Sequence, residues 1–201
     1  LFGIMWFVRM ICQHINHNTY EGEAYIYGHD EVIKIIGEIA NLLLLKRELD
    51  LIGDKLHLVT VEDGEELDII GHRVRFFDVR SIKTKQFGFT MYYGDGKKLT
   101  CCGDEPFHDC EKEYVYGSEW LLHEAFCLYS QADIFKPYEK NHSTVADACK
   151  LAAELKIKNL ILYHTEDKNL QNRKTLYYNE GREYFSGNLY IPNDLEVFDI
   201  L

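Results

Sequence analysis

No apolar run in this 201-residue chain is long enough to cross a bilayer, so neither a transmembrane helix nor a membrane partner is expected. Leu1 to Val8 is apolar but has no basic leader and no small-residue cleavage site, so it does not read as a signal peptide. None of the six cysteines (Cys12, Cys101, Cys102, Cys110, Cys127 and Cys149) pairs as Cys-x-x-Cys. That excludes a zinc ribbon, and their scatter reads as reduced thiols of a cytoplasmic protein rather than a disulfide framework. Cations are in the minority, 22 Lys and Arg against 33 Asp and Glu, for a formal net charge of -11. A protein gripping long RNA is expected to show a basic footprint, because neutralising phosphates provides most of its binding. A bulky RNA partner is therefore disfavoured. Internal repeats, low-complexity segments and breaks in composition are also absent. With 23.6 kDa and 46% hydrophobic residues, one well-packed domain over residues 1–201 is expected.

What the chain does have is a series of strand-like runs that end on residues able to hold a metal or move a proton. Lys98 to Cys102 runs into Gly103-Asp104-Glu105-Pro106, Trp120 to Leu122 runs into His123-Glu124, and Asn159 to Tyr163 runs into His164. Between the last two lies Asn141-His142-Ser143-Thr144, followed by Val145, Ala148, Cys149, Ala152 and Leu155 at helical spacing. Thr144 with Asp147 three residues on resembles a capping box, which puts His142 in the loop just before that helix. An α/β sheet that delivers such groups from several strand ends to one edge builds a reaction site there.

The rest of the chain reads in order as follows. Leu1 to Ile11 forms a buried helix with Trp6, Phe7, Met10 and Ile11 as bulk, and His14 and His17 fall in its polar end rather than in a metal site. Ala24 to Tyr27 is a short strand, and Asp30 caps a helix whose broad apolar stripe runs from Val32 to Leu45. That stripe packs on the sheet, or its Leu42 to Leu45 end reaches a partner subunit. Strands follow at 56–61, 67–70 and 72–79, and then 87–93 pairs with 97–102 through the Gly94-Asp95-Gly96 turn. Residues 106–117 are a connector, 129–140 a loop or lid over the edge carrying His142, 173–184 a helix, and 188–191 and 195–200 two closing strands around Pro192-Asn193-Asp194.

Gly103-Asp104, His123-Glu124-Ala125, His142-Ser143-Thr144 and Leu160 to His164, in this order and spacing, resemble the later motifs of the metallo-β-lactamase fold, and are most similar to its ribonuclease Z-like branch. The resemblance implies an α/β fold of the αββα sandwich type and a homodimer. It implies Asp104 and His164 as metal ligands, with one or two zinc ions, or manganese or iron, as cofactor. His142 supported by Glu124 becomes the proton-transfer pair. His123, Arg80, Lys83 and Lys85 become residues behind the ligands or against the substrate, where positive charge meets a phosphate or carboxylate. Singly, Asp104 could cap a turn, His164 could be a satisfied strand-end histidine and His142 a loop residue; jointly, their order and spacing favour the site.

Two departures from the family pattern stand out. Its His-x-His-x-Asp-His motif is absent, and the segment that follows that motif in the family looks like Leu1 to Ile11, so the chain is expected to lack the first strands and first metal motif of the fold. Val74 to Val79 ends on Arg80-Ser81 where the family has His-Ser. Arg has no lone pair to give a metal, so one metal site is expected to be a ligand short. The implied reaction is hydrolysis by metal-activated water, of a phosphodiester first and a lactone or other ester next, on a small anionic substrate or nucleic-acid fragment. The alternative is a catalytically impaired relative that binds a nucleotide or other anion without cleaving it.

Overall fold

The computed structural model describes residues 2–200; Leu1, which opens the first predicted helix, lies outside them. The chain divides into two compact units, Leu1–Glu62 and Asp63–Leu201.

In the first unit α1 (Phe2–Asn16) turns Met5, Val8, Ile11 and Cys12 inward. The i, i+3, i+4 spacing of these four sets the buried stripe, and it leaves Trp6 and Phe7, expected as core bulk, exposed. β1 (Ala24–Gly28) pairs in parallel with β2 (Leu56–Thr60), Ala24 opposite Leu56. The connection between them contains α2 (Asp30–Leu43) and α3 (Lys46–Leu49). The N-cap of α2 is His29 rather than Asp30: His29 Nδ1 accepts the Val32 N–H at 3.3 Å, while Asp30 already has helical geometry.

The second unit is built on a seven-stranded sheet in sequence order: β3 (Glu66–Ile69), β4 (His72–Asp78), β5 (Phe87–Tyr93), β6 (Lys97–Cys101), β7 (Trp120–Glu124), β8 (Asn159–Tyr163) and β9 (Asn188–Tyr190). Pairing is antiparallel from β3 to β6 and parallel from β6 to β9. The switch follows from the connections. Short turns join β3 to β4 and β5 to β6, and the loop 79–86 joins β4 to β5, whereas β6 to β7 passes through α4 (Lys112–Val115) and β7 to β8 through α5 (Ala132–Phe135) and α6 (Val145–Glu154). At Gly88, in β5, an added Cβ would lie 2.5 Å from the Phe77 ring and 2.6 Å from the Cys101 carbonyl oxygen, so only glycine lets the neighbouring strands approach this closely.

The expected capping box of α6 is present: Thr144 Oγ1 accepts the Asp147 N–H at 3.3 Å and the Asp147 carboxylate accepts the Thr144 N–H at 3.0 Å. Its buried face of Val145, Ala148, Cys149 and Ala152 packs with Leu121, Leu160, Leu162 and Tyr177 into the main core. Each fully buried Leu there contributes about 2 kcal/mol, which fixes the strand ends that carry the site. After β8, α7 (Arg173–Gly181) ends three residues short of the predicted helix end. The strand expected over 195–200 does not form, and Leu195 is exposed with φ 64°, which an extended ladder residue cannot adopt. Residues 129–140 form single turns of helix rather than an unstructured loop.

Candidate active site

Because β6, β7 and β8 run parallel, their carboxyl ends lie on one edge of the sheet, with Cys101 opposite Leu122 and Leu122 opposite Ile161. Beyond β6 the chain turns through Gly103 (φ 74°) into Asp104. β7 ends in His123-Glu124, and β8 passes through Tyr163 into His164, itself left-handed with φ 54°. The Tyr163 hydroxyl donates to the Gly103 carbonyl oxygen and so ties the end of β8 to the turn carrying Asp104. Arg80 (φ 58°) and Asn141 (φ 56°) share the left-handed conformation, which costs a residue with a Cβ about 1 kcal/mol and collects at functional sites.

Glu124 is fully buried. One of its carboxylate oxygens accepts the Ser143 N–H, and Phe126 N–H donates to the Ser143 carbonyl at 2.9 Å, which stitches the loop before α6 to the end of β7. The other, Oε2, faces His142 Nδ1 at 3.6 Å. Both of these atoms are buried without a hydrogen-bond partner among the described residues. The His142 ring stacks on Phe126 with centroids 5.1 Å apart and stands 4.9 Å from the ring of His164.

Burial pushes the Glu124 carboxyl up to about 7, opposed by the N–H donors it accepts and reinforced by the negative charge of Asp104. Burial also pushes His142 down to about 4, with the charges of Lys83 and His164 acting the same way and Asp104 opposing them. Near neutral pH the imidazole is therefore neutral while Glu124 retains much of its proton. A separation just beyond hydrogen-bond length with one proton to share is a geometry for proton transfer.

Glu105 completes the edge and was not singled out by the sequence. It is 1% exposed and accepts from Ser81 Oγ at 2.9 Å, from Gln86 Nε2 at 3.4 Å and from Asn141 Nδ2, with Lys83 Nζ at 3.8 Å. It thus joins the loop after β4 to the residue just before His142. The only sequence signal was a second acidic residue directly after Asp104, which by itself is ordinary turn chemistry.

The structure brings Asp104, Glu124, His142 and His164 into one electrostatic neighbourhood, and Lys83 reaches it too. Arg80 instead pairs with Asp63 at 2.9 Å and Asp78 at 3.5 Å. Lys85 lies over the Phe87 ring at 5.5 Å. His123 Nδ1 is 2.7 Å from the Glu124 carbonyl oxygen, and its ring lines a cavity with His142. A catalytic zinc takes three protein ligands and leaves one position open. Among the described residues no three His, Cys, Asp or Glu side chains converge as a metal site, so Asp104 and His164 with their surroundings do not by themselves fit the metal the family implies.

The fold defines the class. The chain superimposes on the metallo-β-lactamase fold protein YhfI of Bacillus subtilis with a TM-score of 0.71 at 16% identity, over 97% of this chain and 71% of that one. The short form of human tRNase Z gives 0.69 at 18% identity over 100% and 74%, and Zn(2+)-bound PqqB of Methylobacterium extorquens 0.66 at 12% over 89% and 65%. This is the metallo-β-lactamase fold. No protein-family model matches the chain. A ribonuclease Z of Shouchella clausii is 30% identical over 105 residues, which are 52% of this chain and 32% of that protein. A second, from Prochlorococcus marinus, is 30% identical over 100 residues, 50% of this chain and 26% of that protein. The chain thus matches only about a third or less of the length of these relatives, and it is similar to ribonuclease Z over that stretch.

Proposed function

We propose that this chain is part of a metal-dependent phosphodiester hydrolase, ribonuclease Z-like, in which Glu124 and His142 deliver a proton to the departing oxygen. The observation that carries the reading is the buried, unpartnered pair of Glu124 Oε2 and His142 Nδ1 at 3.6 Å. With the imidazole neutral and its other nitrogen protonated, His142 gives that proton to the leaving alkoxide as Nδ1 takes the one held by Glu124. One proton moves at each end and the pair closes to a short contact. Asp104 and His164 would be two of the donors for zinc, or for manganese or iron, although no third donor joins them among the described residues. The ribonuclease Z relatives support a nucleic-acid fragment or small phosphodiester as substrate, and the net charge of -11 favours the smaller of these.

Since the neighbouring fold covers 97% of the chain, we take both units as parts of one metallo-β-lactamase-like domain. The free cysteines support a cytoplasmic protein, and no described helix is long and apolar enough to cross a membrane. Leu42, Leu43 and Leu45, at 83%, 68% and 59% exposed, offer an apolar patch for a homodimer.

The partial donor set favours a second reading, a relative that binds a nucleotide or similar anion without hydrolysis; the pairing of Arg80 with Asp63 and Asp78 counts against Arg80 as its anion clamp. Metal analysis after zinc loading, alongside turnover of bis-p-nitrophenyl phosphate, a lactone and a thioester, tests the two. Turnover that falls about 100-fold or more in His142→Ala and is lost in Asp104→Ala supports the hydrolase. No bound metal and no turnover refutes it.

A further inference from the structure

The His142 imidazole has little polar support. Its Nδ1 is buried without a hydrogen-bond partner among the described residues, and the Glu124 carboxylate oxygen that it faces stands at 3.6 Å, beyond hydrogen-bond length. The backbone N–H of His142 donates to the Pro137 carbonyl oxygen at 3.0 Å, which ties the main chain but does not fix the side-chain torsions. Packing holds the ring instead. Phe126 stacks on it with centroids 5.1 Å and planes 26° apart. The same phenyl ring stands 6.4 Å from His164, meets Phe135 edge-on at 6.3 Å and lies under the Lys140 ammonium at 5.0 Å. Its backbone is pinned on both sides, the N–H donating to the Ser143 carbonyl oxygen at 2.9 Å and the carbonyl oxygen accepting the Glu166 N–H at 2.8 Å and the Tyr177 hydroxyl at 3.0 Å. Tyr177 is fully buried, so the platform is anchored to the core.

We propose that Phe126 is the positioning residue of the proton-transfer pair: its ring face fixes the plane of the His142 imidazole, so that Nδ1 stays towards Glu124 and Nε2 towards the departing oxygen. The assignment deepens the hydrolase reading and rests on it for the role of His142. Stacking suits the task. A lasting hydrogen bond to a ring nitrogen would occupy an atom that has to exchange a proton, whereas a flat face restricts tilt and leaves both nitrogens free. The stack sets the plane, and the Glu124 carboxylate selects which nitrogen faces it. An aromatic face also favours the imidazole as positive charge passes through it. A misplacement of about 1 Å costs a reacting group about 100-fold in rate, so a side chain that touches no reacting atom still controls the step.

The test compares the whole chain as wild type, Phe126→Leu and Phe126→Tyr, with near-ultraviolet circular dichroism reporting the fold of each. Leu keeps apolar bulk and removes the flat face; Tyr keeps the face. Two esters are turned over after zinc loading, bis-p-nitrophenyl phosphate and diphenyl phosphate, whose phenolate, with a conjugate-acid pKa of about 10, needs the proton more. Phe126→Leu should lower kcat about tenfold on the first and about 100-fold on the second with KM within about twofold, and Phe126→Tyr should restore both to within about threefold. A merely structural loss lowers both esters by one factor; that result overturns the proposal, and so does an unchanged kcat in Phe126→Leu. The second readout needs neither metal nor turnover. NMR relaxation of the His142 ring C–H groups, assigned by their loss in His142→Ala, should give an order parameter of about 0.85 in wild type and Phe126→Tyr and below about 0.6 in Phe126→Leu. If wild type turns over neither ester, the hydrolase reading falls and the order parameters decide alone. A ring freed only in Phe126→Leu supports Phe126 as what fixes it, and a ring equally ordered in all three proteins overturns the proposal.

Discussion

Replacing Glu105 with Ala should destabilise this protein far more than its position in a turn suggests. The carboxylate is the shared acceptor for Ser81 Oγ at 2.9 Å, Gln86 Nε2 at 3.4 Å and Asn141 Nδ2, and it faces the Lys83 ammonium at 3.8 Å. Its removal leaves Ser81 and Asn141 as buried or half-buried donors with no acceptor, at about 1 to 3 kcal/mol each, and Lys83 without a counter-charge. The expected loss is about 3 to 5 kcal/mol, which for a chain of this size lowers the unfolding midpoint by roughly 10 °C. Glu105→Gln keeps one oxygen but sets an amide N–H₂ towards other donors, so it should fall between wild type and Ala. Denaturant unfolding of the three proteins checks the order. Because Asn141 holds a left-handed backbone directly before His142, the same series should lower any hydrolytic rate in parallel. A loss below about 1 kcal/mol for Glu105→Ala would show that water replaces the carboxylate readily, and the idea of a central tie would be refuted.

Gly88→Ala should cost about 3 kcal/mol in the same assay, since the added Cβ meets the Cys101 carbonyl oxygen at 2.6 Å and a backbone atom cannot swing aside. Gly37→Ala, in α2 with nothing within 4 Å of the new Cβ, should instead stabilise by about 0.5 to 1 kcal/mol. Glu111 is buried and its carboxyl is pushed by burial from 4.5 up to about 7. The folded state therefore holds a proton that the unfolded chain releases, so stability should fall as pH rises from about 4.5 to about 7 and level off above. The fall from this group is up to roughly 3 kcal/mol, and Glu111→Gln should flatten it, as urea midpoints at acid and alkaline pH would show. Glu124, whose carboxyl is raised to about 7, acts in the same sense, while His142, lowered to about 4, acts in the opposite one and offsets it over much of that window.

Much of the sheet was legible because the information is local. The Gly94-Asp95-Gly96 turn, the alternating runs beside it and the Thr144 capping box each specify a short stretch of backbone, and tertiary packing did not override them. The faces of α1 and the end of the chain were less legible. Trp6 and Phe7 are as apolar as Met5 and Val8, so only helical phase against a core that the sequence does not display decides which are buried. Leu195 to Ile200 is rich in apolar residues like a strand, yet a strand needs a partner edge, and the left-handed Leu195 turns the segment out of the ladder.

The site divides along the same line. Asp104, Glu124 and His164 were readable because parallel strands deliver their carboxyl ends to one edge, so position in sequence translates directly into position in space. Glu105 and the unpartnered Nε2 of His123 were not, because what distinguishes them is the set of atoms around them: a carboxylate that collects donors from two other loops, and an imidazole whose one committed nitrogen fixes the chemistry of the other. Adjacent residues on one strand thus have opposite tasks. Glu124 turns its carboxylate to His142, where a proton can move, while the carbonyl of the same residue holds the His123 ring in place. A single backbone position sets both, so a change that shifts the end of β7 should disturb the proton-transfer pair and the seat of the His123 ring together.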